Sequence, residues 1–118
     1  MSIDGAGREQ PGTDEERVGR YVRMAAHPGE GAALADALLH VAANMREAPG
    51  CEMYLVNLSA DEPDVVWVTE LWSDEQSSDR ALGGELGQVG LEDVVAHLAA
   101  PPELIAVRPL GGVGLPTA

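Results

Sequence analysis

Glu70 and Trp72 are the residues of this chain best suited by type and spacing to do chemistry. Both lie in the run Val65-Val-Trp-Val-Thr-Glu-Leu-Trp72. Alternation along a strand puts them on one face together with Val66 and Val68. A carboxylate there acts as a general base if burial raises its pKa. The alternative is an ion pair with Arg20 or Arg23 across a sheet, the commoner arrangement for a buried charge. The indole N–H of Trp72 is a donor able to hold a phenolate, while the plainer role of a buried Trp is packing with an internal partner. Trp67, Thr69 and Leu71 take the opposite face and are expected to meet another sheet. Asn57, in the run Glu52-Met-Tyr-Leu-Val-Asn-Leu58, is able to hydrogen-bond a substrate carbonyl, and Tyr54 lies on the other face of that run. His27 precedes Pro28 in a turn, and His40 and His97 are expected on solvated helix stripes, so no catalytic dyad forms from them. The single Cys51 is expected to pack as a small apolar residue. The sequence shows no Ser/His/Asp spacing, phosphate-binding glycine loop or metal-type cluster.

The elements that must position these residues follow from periodicity. Val18 to Ala26 reads as a strand that stops at His27-Pro-Gly-Glu30. Leu34, Leu38, Val41 and Met45 recur at helical spacing, flanked by Ala37 and Ala42, with Asp36, His40, Asn44 and Glu47 opposite. Pro49-Gly50 ends that helix. The runs 52–58 and 65–72 form a hairpin about the turn Ser59-Ala-Asp-Glu-Pro-Asp64. Ser73 with Gln76 predicts a capping box opening a second helix. Gly83, Gly84, Gly87 and Gly90 interrupt it, at about 1 kcal/mol each, so two short helices with a mobile, lid-like joint over 83–90 are expected. A pocket under this lid would be walled by Val66, Val68, Leu82 and Leu86. Pro101-Pro102 precedes a last strand, Leu104-Ile-Ala-Val-Arg108. The order β-α-β-β-α-β predicts an α+β, ferredoxin-like fold. Residues 1–16, rich in Gly, Asp and Glu, read as a flexible tail before one domain at 17–118.

Composition narrows the function. Of 118 residues, 45% are hydrophobic, yet the aromatics are only two Trp and two Tyr. The core must be built from Ala, Val and Leu, which leaves each ring a candidate for special use. The formal net charge is −13, with seven Arg and no Lys. Such a surface repels nucleic acid and anionic membranes, and it favours a neutral apolar ligand over an anionic one. With no signal-peptide block and no apolar run near the ~20 residues of a membrane span, a cytoplasmic location is expected.

The landmarks Pro28-Gly29, Glu47-Ala-Pro-Gly-Cys51, Pro63, Glu70-Leu-Trp-Ser-Asp74 and Arg108-Pro-Leu-Gly-Gly-Val-Gly114 occur in this order over about residues 18–116. In that order the chain resembles the antibiotic biosynthesis monooxygenase (ABM) family, including bacterial members described as quinol monooxygenases. The resemblance implies a homodimeric α+β barrel in which two four-stranded sheets pack together, with a small pocket between sheet and helices in each subunit. It implies oxidation of a quinol or polycyclic phenol by O₂ without metal, flavin or other cofactor; the residues expected to serve such a reaction here are Trp72 as the donor and Glu70 beside it. Two positions depart from the pattern. Val68 stands where anthrone-oxidising members carry Asn, and Leu82 stands about where many members carry His. Without that His there is no iron ligand, so haem breakdown is disfavoured. A non-catalytic small-molecule-binding or cyclase-like dimer of the same fold is the alternative expectation.

Overall fold

The computed structural model describes residues 17–84, 88 and 90–115. Its elements are β1 (Val18–Ala25), α1 (Gly31–Met45), β2 (Cys51–Leu58), β3 (Val65–Trp72), α2 (Glu75–Gly83), α3 (Leu91–His97) and β4 (Glu103–Val107). The strands form one antiparallel sheet in the order β2-β3-β1-β4. This is the expected ferredoxin-like arrangement, with the second helical stretch split in two. The expected tail at 1–16 lies outside the described residues.

The alternation of apolar residues decides what is covered. The predicted stripe of α1 is buried throughout, with Leu34 at 0% exposure, and it packs on Val22, Val66, Val68 and Trp72 from the sheet. The other sheet face is open: Tyr21, Leu55 and Ile105 are 43%, 50% and 51% exposed. Cross-strand register puts Tyr21 beside Thr69 and Ile105, and Leu71 opposite Met53, so this face is largely apolar. Trp67, Thr69 and Leu71 lie on it, each half-buried.

Two close approaches fix how the helices sit. Gly31 opens α1 against the β2–β3 turn, where a Cβ would collide with the Pro63 carbonyl. The Asp64 carboxylate reaches the same place and accepts from the N–H of Gly29 at 3.0 Å and of Gly31 at 2.9 Å. It satisfies an N-terminal donor of α1, whose own N-cap residue Glu30 makes no side-chain cap. Gly50, at φ +87°, turns the chain into β2 where any side chain would strike Ser77 on α2.

The expected capping box at Ser73 is corrected by one residue. Asp74 is the N-cap of α2 and accepts from the Ser77 N–H at 2.7 Å. Ser73 stays tied to the sheet end, its N–H donating to the Gly50 carbonyl at 2.8 Å. His97 is likewise not simply solvated: its Nδ1 lies 2.9 Å from Glu30 Oε1, linking α3 to the start of α1.

Candidate functional site

The side chains of β3 facing α1 end in a buried polar group within an otherwise apolar layer. Glu70 is 6% exposed and Trp72 wholly buried. Arg20 stands opposite Glu70 on β1, and Tyr54 stands opposite it on β2. Arg20 Nη1 donates to Glu70 Oε1 at 3.2 Å and to Ser78 Oγ at 2.6 Å. The indole Nε1 of Trp72 donates to the same Glu70 oxygen at 3.0 Å. One carboxylate oxygen thus gathers a guanidinium from β1 and an indole from β3, and α2 joins through Ser78. Among the described residues, no buried side-chain N or O atom lacks a partner.

This geometry chooses between the alternatives for Glu70. It pairs with Arg20. Arg23 points to the open face and bonds Glu62 at 3.2 Å and Glu103 at 3.3 Å. Trp72 cannot serve as a free donor in this arrangement, because its N–H is spent on Glu70 and its ring has no exposed surface.

The expected walls need correction as well. Val66 and Val68 are at 0% exposure, so no water-sized space adjoins them; they are packed core under α1. Leu82 is half-buried and packs against the same core. Asn57 lies opposite Trp67, on the open face, and its Nδ2 donates to the Trp67 carbonyl at 3.2 Å, so it shares no cavity with Val66 and Val68. Leu86 lies outside the described residues, as do Glu85, Gly87 and Val89 of the expected lid.

Two clefts lie elsewhere among the described residues: one of about 380 Å³ between α1 and the edge strand β2, on the side of the sheet that carries Glu70, and one of about 440 Å³ at the end of β1 and β4 between Arg17 and Arg108. In the first, Leu39, Ala42 and Met45 of α1 form one wall, and Cys51, Tyr54 and Val56 of β2 form the other. Tyr54 is the residue that joins this cleft to the buried network, since it lines the one and sits across from Glu70 in the other. Burial first, and then the Glu70 carboxylate, push its phenol far above the ordinary tyrosine range. It therefore stays protonated and remains a hydrogen-bond donor. Burial also raises the Cys51 thiol, which keeps it neutral.

Of the two polar residues that the sequence places on opposite faces of β2, it is Tyr54 and not the expected Asn57 that meets a cleft on the helix side. The alternation from Met53 to Leu58 is regular and puts Tyr54 with Val56 on the helix face, opposite Asn57; the register shift between Cys51 and Met53 brings Cys51 to that face as well. The available signal for Tyr54 was its rarity, as one of two tyrosines in the chain. Among the described residues, no cluster of three or more His, Cys, Asp or Glu side chains is placed to hold a metal ion. No helix there is long and apolar enough to cross a membrane.

Comparisons agree with this architecture. A Chloroflexus aurantiacus protein assigned to the antibiotic biosynthesis monooxygenases superposes with a TM-score of 0.75 at 30% identity, covering 85% of this chain and 99% of its own. A Caulobacter crescentus protein assigned to the same class gives 0.74 at 20% identity, covering 81% and 92%. A Mycobacterium tuberculosis protein gives 0.71 at 22% identity, covering 82% and 98%. At these lower identities the likeness speaks to fold alone. No curated protein matches the chain. Residues 17–86 match the family described as antibiotic biosynthesis monooxygenase, and with the Chloroflexus relative this establishes that the chain belongs to the ABM family.

Proposed function

We propose that this chain is a monooxygenase that oxidises a quinol or small polycyclic phenol with O₂ and without a cofactor. The observation that carries the reading is Tyr54, a protonated phenol at the wall of an apolar cleft, backed by a carboxylate that Arg20 and Trp72 hold in place. Membership of the ABM family supplies the reaction class.

The chemistry asks little of the protein. A deprotonated, electron-rich ring passes one electron to O₂, and the resulting radical pair joins as a hydroperoxide at a ring carbon. Loss of water leaves one oxygen atom on the product, so a quinol plus O₂ gives a hydroxyquinone plus water. In this reading Tyr54 donates to the substrate oxyanion, and the cleft excludes water from the ring. Glu70 and Trp72 act through Tyr54 as positioning residues. The negative charge of Glu70 disfavours ionisation of the phenol, and Trp72 fixes that carboxylate from behind.

The working unit in this proposal is a homodimer. The open sheet face, with Tyr21, Leu55, Trp67, Leu71 and Ile105, is too apolar to face water alone. Pairing it with its twofold mate closes the structure.

One observation favours a second reading, a non-catalytic binding or cyclase-like dimer. The indole N–H of Trp72 is consumed internally by Glu70, so the donor expected from the family resemblance does not reach a ligand. Oxygen uptake separates the two. Purified protein with a panel of naphthoquinols and anthrones should consume O₂ faster than the uncatalysed background, forming one water per product. Uptake no faster than background across that panel would leave the binding reading as the better one.

A further inference from the structure

We infer that the α1–β2 cleft selects an aromatic acid, with Arg46 at its rim pairing the ligand's carboxylate. The claim deepens the reading above, since it concerns the ligand of that same cleft.

The charges lining the cleft carry the inference. Its lining contains two ionisable groups of fixed sign, Glu52 and Arg46. Glu52 is already neutralised: Arg17 Nε bonds its Oε1 at 3.0 Å, with the two side chains only 9% and 15% exposed. Cys51 and Tyr54 are held neutral, as described above. Arg46 makes no ion pair among the described residues. Among the described residues that line this cleft, it is therefore the one charge without an ionic partner. The arginines of β1 behave differently, Arg20 and Arg23 each meeting a carboxylate.

A plainer role for Arg46 is to complement the C-terminal end of α1, where it is the C-cap residue. That role needs only the backbone neighbourhood and does not need the side chain at a cleft. The net charge of −13 opposes any anion at long range. Charges beyond about 8 Å are screened at physiological salt, however, so a guanidinium in direct contact outweighs them for a bound carboxylate. The planar fork of Arg suits a carboxylate better than a neutral hydroxyl. Ligand sites span roughly 300–1,000 Å³, and a cleft of about 380 Å³ sits at the small end. One or two fused rings fit, with the acid at the Arg46 rim and the opposite ring edge toward Tyr54.

The test uses the full chain and two probes that differ only in the acid, 6-hydroxy-2-naphthoate and 2-naphthol, titrated by calorimetry; in the first the hydroxyl and the carboxylate lie at opposite ends of the ring pair. The acid should bind at least tenfold more tightly. Arg46→Gln should weaken the acid about tenfold and leave 2-naphthol within twofold, while Arg46→Lys recovers part of the loss. Arg46 is exposed, so these variants should fold. Equal affinity for both probes, or equal weakening of both by Arg46→Gln, would overturn the inference. Tight acid binding without oxygen uptake would sustain it while sinking the oxidation proposal. Oxygen uptake with no preference for acidic quinols would do the reverse.

Discussion

The indole of Trp72 reaches back two residues along its own strand and donates to Glu70 Oε1 at 3.0 Å, the same oxygen that receives Arg20. Three long side chains are thereby committed to one buried point. A buried carboxylate with one fewer donor is left with part of its desolvation penalty uncompensated.

Trp72→Phe should therefore cost about 1–3 kcal/mol in chemical denaturation, even though most of the packing volume is kept. Arg20→Met should cost more, on the order of 3 kcal/mol, because it strands the Glu70 charge. Under the proposed function both variants also slow oxygen uptake. Denaturation midpoints within experimental error of the unaltered protein would show that the network adds nothing to stability.

Asp64 gives a pH-dependent prediction. The N–H groups of Gly29 and then Gly31 hold its carboxyl below the ordinary aspartate range. A depressed folded pKa means that its stabilising contribution is complete above the unfolded value, about 3.9, and disappears as pH falls through the folded value. Asp64→Ala should lower the melting temperature at pH 7. The gap to the unaltered protein should close toward pH 2, as followed by thermal melts. A gap that stays constant with pH would assign the effect to packing.

The open sheet face predicts assembly. The chain should sediment as a dimer at micromolar concentration, and Trp67→Glu should dissociate or unfold it. A folded, monodisperse monomer at that concentration would refute the sheet-to-sheet pairing.

Tyr54→Phe removes the proposed donor and little else. Oxygen uptake should fall about tenfold or more. The pH profile of the unaltered protein should carry no limb from this phenol up to pH 10, because its pKa lies above the ordinary range. Uptake at the full rate in Tyr54→Phe would remove Tyr54 from the reaction.

The sequence made the α1 stripe and the three main strands legible because each repeats an apolar residue at the period of its element. The faces of β3 could be read for the same reason. Less could be read where two distant segments decide together. Trp72 was visible as a donor, but its acceptor was open to view only as a same-face neighbour, and the choice of Arg20 over Arg23 needed the β1–β3 register. Alternation says which face Val66 and Val68 take and not how closely a helix covers them, so the pocket expected there is filled core. Alternation puts Tyr54 and Asn57 on opposite faces of β2, but which of the two meets the helices follows only from the β2–β3 register. The cleft itself depends on β2 being an edge strand, a property of sheet order.

The Arg20 network also bears on how the chain reaches its native state. Arg20 meets Glu70 and Ser78 across 50 and 58 residues of sequence, whereas β2 and β3 are joined by a short turn. The hairpin has little loop entropy to overcome, but the guanidinium cannot be desolvated productively until β1 docks beside β3. Until then it is better left in water. The ion pair should therefore form after the rate-limiting step, so Arg20→Met would leave the folding limb of a chevron almost unmoved and steepen the loss through faster unfolding. The pair would then act as a latch on the finished molecule, lengthening its lifetime without guiding its assembly.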